Sequence, residues 1–227
     1  MNGVLLATVA LGVVILAVLA WMMQKKRQEA FQQWALRNRW TYEGSDPSLV
    51  HLSDAQPFGQ GRDKRATEVL RGAFDGHQAV SFTYSWTTGD EKDTTNHTAH
   101  VVALALPAYL PTVEVTRDGF GAKLDKLFGG QDIQFESEAF NKEFRVTASD
   151  AQVGHAIVHP RLMERLLRDG AVTPWRIEGT SIISWEPGSS ALETLATRLG
   201  LLSAIVRSIP RHVWLDHGHD PLDATIG

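Results

Sequence analysis

The sequence predicts an α+β protein: one N-terminal transmembrane helix followed by a soluble domain of mostly antiparallel strands with about three packed helices. Residues 4–23 are apolar throughout except for Thr8 and Gly12. From Val80 onward, segments alternate apolar and polar side chains as strands do, and later segments repeat apolar residues at helical spacing. The chain divides accordingly into an anchor with a basic flank over 1–27, an amphipathic stalk and linker over 28–66, an α+β domain over 67–210 and a polar C-terminal tail over 211–227.

As a helix, the run over 4–23 rises about 30 Å, the thickness of a bilayer's hydrocarbon core. Lys25, Lys26 and Arg27 follow it directly and Arg37 and Arg39 lie beyond, whereas no basic side chain precedes it. A positive flank stays in the cytoplasm, which predicts a single-pass protein of the cell membrane with a cytoplasmic domain. The competing reading, a cleavable secretory signal with Ala20 as its small residue, calls for a charged n-region and a shorter apolar stretch.

Gln28–Arg39 places Phe31, Trp34 and Ala35 at helical spacing, continuing or restarting the helix as a stalk. Trp21, near the end of the span, suits an interface belt; Trp34 and Trp40 suit packing on the domain equally well. Residues 43–65 are rich in Gly, Pro, Ser and Asp without a sustained period, the composition of a linker or surface loop. Val80, Phe82, Tyr84 and Trp86 alternate with Ser81, Thr83 and Ser85, predicting a half-buried strand, and Asp75-Gly76 before it is a tight hairpin turn. The apolar run 97–106 predicts a strand buried on both faces, broken by Pro107 and Pro111 and resumed at Thr112–Val115. A short helix is expected over 120–128.

The stretch IQFESEAFNKEFRV, 133–146, concentrates phenylalanine and charge. Ile133 and Phe135 alternate as in a strand, Ser137 can cap one helical turn, and Phe144 and Val146 alternate again. This predicts a strand, turn and strand corner with its charges in solvent. Pro160 opens a helix that carries Leu162, Met163, Leu166 and Leu167 inward and ends at Gly170, and Trp175–Trp185 reads as a hairpin turning at Glu178-Gly179. Ser190 and Glu193 form a capping box for a helix with Leu192, Leu195, Leu199, Leu202, Ile205 and Val206 on one face, ended by Pro210.

Composition limits the function. With no cysteine there is no disulfide, thiolate nucleophile or cysteine metal site. Beyond residue 27, 19 Lys and Arg face 26 Asp and Glu, a net charge of −7 that argues against nucleic acid as a partner. The chain contains no P-loop, GxGxxG, GxSxG or HExxH pattern, so no catalytic residue and no cofactor is predicted. Asp216, His217, His219 and Asp220 are weak candidate ligands for zinc or manganese, on a flexible segment around Gly218 with no element to organise them. His97 and His100 are predicted to point to opposite faces of one strand, and His155 and His159 are separated by the constraint of Pro160. Gly119, Gly121 and Lys123 before a helix suggest a structural turn, and Asn96-His97-Thr98, a glycosylation sequon, has no meaning in the cytoplasm.

The order of HVVALALPAYLPTVEV, FESEAFNKEFRV and RLMERLL behind an N-terminal span resembles a family of uncharacterised, single-span membrane-anchored proteins of mainly actinobacterial origin, over residues 70 to 208. The resemblance implies a shared fold and anchoring, with no established catalytic residues. The leading expectation is a membrane-tethered interaction or scaffold module, held by residues 4–23 and bound to an unidentified protein partner. The alternative is a small-molecule or lipid-binding domain, with or without hydrolytic activity, using Phe82, Tyr84, Trp86, Trp175 and Trp185. An exposed apolar patch would favour the first, a concave apolar pocket the second.

Overall fold

The structure, a computed structural model, describes residues 2–90, 92–117, 131–169 and 173–223, with side chains from Leu11 onward. It is an α+β fold with a seven-stranded, antiparallel sheet. The expected helix over 120–128 and the Gly170 cap lie outside the described residues.

Helix α1 runs unbroken from Asn2 to Asn38. Among the described residues no helix is long and apolar enough to cross a membrane, so the predicted span is not carried by them; the first part of the run, 4–10, lies where no side chain is described. The stalk expected after it is the end of the same helix, with Phe31 and Ala35 buried. Trp40 N donates to Ala35 O at 2.8 Å with Arg39 in the left-handed region at φ 59, the reversal that stops a helix by closing its last carbonyls.

Where the sequence predicts a linker, strand β1 (Thr41–Ser45) follows, then a 3-10 turn over Pro47–His51. Asp46 caps that turn from Ser48 N at 2.8 Å, with Pro47 at the first position, so the Pro and Ser content marks a turn start rather than disorder. Strands β2 (Arg62–Phe74) and β3 (His77–Thr88) form the predicted hairpin, with Asp75 and Gly76 at φ 51 and 83. The long strand β4 is Thr95–Arg117. After it come β5 (Gln131–Ile133), α2 (Glu138–Glu143), β6 (Phe144–Ala148), α3 (Ala151–Ile157), α4 (Pro160–Asp169), β7 (Trp175–Pro187), α5 (Leu192–Ser208) and α6 (Arg211–Asp216).

The sheet order is β1-β2-β3-β4-β6-β5, with β7 also paired to β4. Pro107 and Pro111 do not interrupt β4. They fall between its pairing with β3, which ends at Leu104, and with β6, which starts at Val113, where no neighbour needs their missing amide protons. The register to β7 shifts on both sides of Leu110. The predicted hairpin over Trp175–Trp185 does not form: β7 is one strand that follows β4 from Val115↔Trp175 through Leu110↔Gly179 to Ala99↔Pro187, because β4 offers it a partner along its whole length. Gly179, at φ 61, lies between the two register shifts, where β7 bends enough for Trp185 N to reach Pro174 O at 3.4 Å and for Thr173 Oγ1 to lie 2.8 Å from Ser184 Oγ.

One sheet face carries the larger core, in which Val102, Leu104, Val113 and Trp175 pack with Phe31 of α1, Ile157, Leu162 and Leu166 of α3 and α4, and the predicted apolar face of α5. The other face carries Phe82, Tyr84, Val101, Ile183 and Trp185, covered by Leu49 and Phe58. Strand β3 is therefore buried on both faces through Phe82 and Tyr84, a departure from the half-buried expectation, because Ser81 and Thr83 are also covered. The corner forms as predicted: Ser137 caps α2 from Phe140 N at 3.3 Å, and Asn141 closes the loop with bonds to both Phe135 N and Phe135 O.

Gly72 sits so close to Trp40 that an added Cβ would lie 2.4 Å from the indole. Gly72→Ala should therefore destabilise the fold by about 1–3 kcal/mol, the usual range for overpacking. A lowered urea midpoint with an unchanged slope is the expected result; an unchanged midpoint would show that Trp40 moves freely.

Candidate functional site at the helix–sheet junction

The described part of α1 has two parts. From Leu11 to Met23 its large apolar side chains are exposed, with Leu16 at 68% and Met23 at 72% and no face shielded by the domain. From Arg27 on, the helix belongs to the fold, and Phe31 is 3% exposed. Arg27 marks the change. Its Nε donates to Glu68 Oε1, its Nη2 donates to Glu68 Oε2 at 2.9 Å and to Ser190 O at 2.6 Å, and its guanidinium lies 5.0 Å from the Phe31 ring centre. The hydrogen bond to Glu68 raises the Arg27 pKa above the ordinary guanidinium value against the opposing effect of burial.

Glu68 reaches this position because β2 bulges. Its backbone is at φ 53, inside a register shift between Thr67 and Leu70, which turns the carboxylate toward α1. Glu68 Oε2 also accepts from Thr83 Oγ1 at 2.7 Å. Thr83 Oγ1 in turn accepts from Ser190 N at 2.8 Å. Ser190 therefore does not cap α5, contrary to the predicted capping box: α5 starts after Ala191 with no side-chain cap, because the sheet has taken the serine.

Behind Ser190 lies His100, buried beneath the start of α5. Its Nδ1 accepts from Ala191 N at 3.3 Å, so the ring proton is on Nε2 and donates to Ser81 Oγ at 2.9 Å. Burial first, then the cations Arg198 and Arg27, push the His100 pKa down to about 3. Glu186 Oε1 lies 3.5 Å from Nδ1 and accepts from Arg198 Nη1 at 3.2 Å. Ser81, His100 and Glu186 thus have the outline of a nucleophile, base and acid, but not the working arrangement. The ring nitrogen that would donate to the acid is occupied by a backbone amide, and Ser81 and His100 are each 1% exposed, out of reach of a substrate.

Arg198 is 5% exposed, with its pKa lowered to about 10 by burial against the attraction of Glu186. It also donates to His100 O and Ser184 Oγ. The opposite sheet face has its own buried cation, Arg176, paired with Glu114, bonded to Ser53 Oγ at 3.1 Å and stacked 5.3 Å from the Trp185 ring centre. Its pKa is likewise lowered to about 10 by burial.

The five aromatics of the ligand-binding alternative do not converge. Phe82, Tyr84 and Trp185 are buried in one core and Trp175 in the other. Trp86 is sandwiched between Tyr84 and His97 with ring centres 5.3 and 5.0 Å away. Tyr84 donates to Phe58 O at 3.2 Å and burial pushes its pKa up to about 12. One open surface depression is lined by the charged residues Arg62, Asp90, Lys92 and Asp93.

Three of the four candidate metal ligands, His217, His219 and Asp220, have other partners. Asp216 ends α6, His217 Nδ1 lies 2.8 Å from Val213 O, and His219 packs edge-on against Trp214. Asp220 takes both ends of the Arg211 fork at 2.9 and 2.6 Å. Among the described residues no three His, Asp or Glu side chains gather as a metal would require. His159 accepts from Leu162 N at the start of α4 and lies 3.0 Å from Ser208 O, while His155 packs against Phe135.

No family model matches the chain, and no curated protein does. The crystal structure of the mycobacterial trehalose monomycolate transport factor A, TtfA, superposes with a TM-score of 0.60 at 15% identity, covering 81% of this chain and 96% of that one. The two proteins share a fold. The single-span family suggested by the sequence has no matching family model, and the structural neighbour is a mycobacterial protein.

His100 gives the fold a dependence on pH. The unfolded ring takes a proton near 6.5 and the folded one only near 3, so the contribution is complete above 6.5 and is lost as pH falls toward 3. Stability should drop by up to about 1.4 kcal/mol per pH unit across that window from this group. Urea titrations of the protein and of His100→Gln should diverge there, with the variant less sensitive; parallel curves would show that the ring protonates in the folded state.

Proposed function

We propose that the chain is a membrane-tethered interaction or scaffold module, single-pass, with its domain on the cytoplasmic side. The observation that carries this reading is the exposure of the apolar side chains from Leu11 to Met23 on a helix whose next turns are built into the domain. Left in water, each large apolar side chain forfeits roughly 1.5–3 kcal/mol relative to burial. A bilayer removes that cost, and the span needed comes from joining these residues to the apolar sequence that precedes them from Val4. Lys25 and Lys26, exposed just past the run, supply the cytoplasmic flank.

An interaction role follows from what the domain offers. Its buried charged groups are paired with one another, its aromatics pack, and among the described residues its longest run of exposed apolar side chains is on the tether. The ligand-binding alternative needs convergent aromatics that this arrangement does not supply. That the mycobacterial neighbour is by name a transport factor is compatible with an accessory role beside a membrane. Kinship with the actinobacterial single-span family belongs to the same proposal, as does an unidentified protein partner.

Deletion of residues 1–23 spares Arg27, Phe31 and Ala35, so the truncated protein should fold and move from the membrane pellet to the supernatant. A folded truncation that still sediments with membranes would overturn the single-anchor reading.

A further inference from the structure

A domain on a membrane tether ordinarily hangs from a flexible linker, free to sample many heights and tilts. This chain has no such linker. No glycine or proline occurs between Gly12 and Gly44, and α1 is continuous to Asn38. Beyond that point the turn at Arg39 leads straight into β1, and Trp40 is seated on Gly72 and against Trp34 at 5.5 Å between ring centres. Phe31 and Ala35 hold the helix to the core.

Those apolar contacts fix the end of α1 but leave its exit toward the apolar run to be set by Arg27. Arg27 is the residue for which a planar fork matters: two of its nitrogens engage the two oxygens of Glu68, and one of these also reaches the Ser190 carbonyl, joining α1 to β2 and to the turn before α5 at once. Glu193, at the start of α5, adds to the field on the cation. Arg27 lies four residues beyond Met23, about 6 Å along a helix axis, within the depth of a headgroup layer.

We propose that Arg27 locks the anchor and the domain into one rigid body, seating Glu68 and the 187–190 turn against the headgroups so that the domain meets partners only in or on the same membrane. The seating rests on the membrane-tethered reading; the lock does not. Lys25, whose ammonium lies 5.6 Å from the Trp21 ring centre, and Lys26 remain exposed on the side of the lipid surface, so the three consecutive bases have two different tasks.

The absence of cysteine makes the lock directly testable. Nitroxides placed at Leu16→Cys and Ala139→Cys, both exposed positions, report the distance from tether to domain in full-length protein in detergent micelles. A single narrow distance distribution is expected, lost in Arg27→Ala and in Glu68→Gln, and only partly restored by Arg27→Lys. A broad distribution in the parent protein, or narrow ones in both variants, would overturn the lock. In vesicles with headgroup-labelled quencher lipid, a fluorophore at Ser189→Cys should be strongly quenched. An unquenched probe on protein that sediments with the vesicles overturns the seating, whereas full-length protein left in the supernatant overturns the tethered reading and leaves the micelle result to judge the lock.

Discussion

Strand β4 is the element on which the rest is assembled. It pairs with β3 along its first half, with β6 along its second, and with β7 from Ala99 to Val115, so every other strand is bonded to it directly or through one of those three. Its middle holds two prolines, which cannot give amide protons to a neighbour. The fold accommodates them by leaving that stretch without β3 or β6 and by shifting the register to β7 on both sides of Leu110. A strand that would be faulty in a flat sheet becomes the place where one half of the sheet passes to the other.

Each face of that sheet then buries one arginine. Arg198 and Arg176 are 5% and 4% exposed, and neither is at a surface where charge is free of desolvation cost. Their partners show what they contribute: Arg198 joins α5 to β4 and β7, and Arg176 joins β7 to β4 and to the 53–56 segment. Well-packed apolar residues could supply equal stability, but not the fixed directions of a guanidinium fork. Each arginine therefore ties together elements from different parts of the chain through hydrogen bonds of fixed direction.

What could be read from the sequence was local. The Asp75-Gly76 hairpin, the 133–146 corner, the Pro160 helix start and the apolar face of α5 depend on residues within a few positions of each other, and they are found in the structure. Readings failed where a distant residue took over a local group. Ser190 has the spacing of a helix cap, but Thr83, 107 residues away in sequence, binds it. Ser81 and Thr83 alternate like the wet side of a strand, yet the α5 entrance covers them. The junction itself was illegible for the same reason: Arg27 looks like the third member of a basic cluster, and nothing near it announces that a bulge 41 residues later turns Glu68 to meet it.

The separation of the Arg27 contacts has a consequence for how the protein is made. Ser190 follows Arg27 by 163 residues, so at ribosomal rates of about 5–20 residues per second the carbonyl that completes the junction is synthesised roughly 8–30 s after the arginine that binds it. The N-terminal helix leaves the ribosome before any strand exists to hold it, and the half-finished chain carries Phe31 and Ala35 without a core to receive them. Assembly is completed from the C-terminal side, and a helix made before every strand of the sheet is among the last elements to be secured.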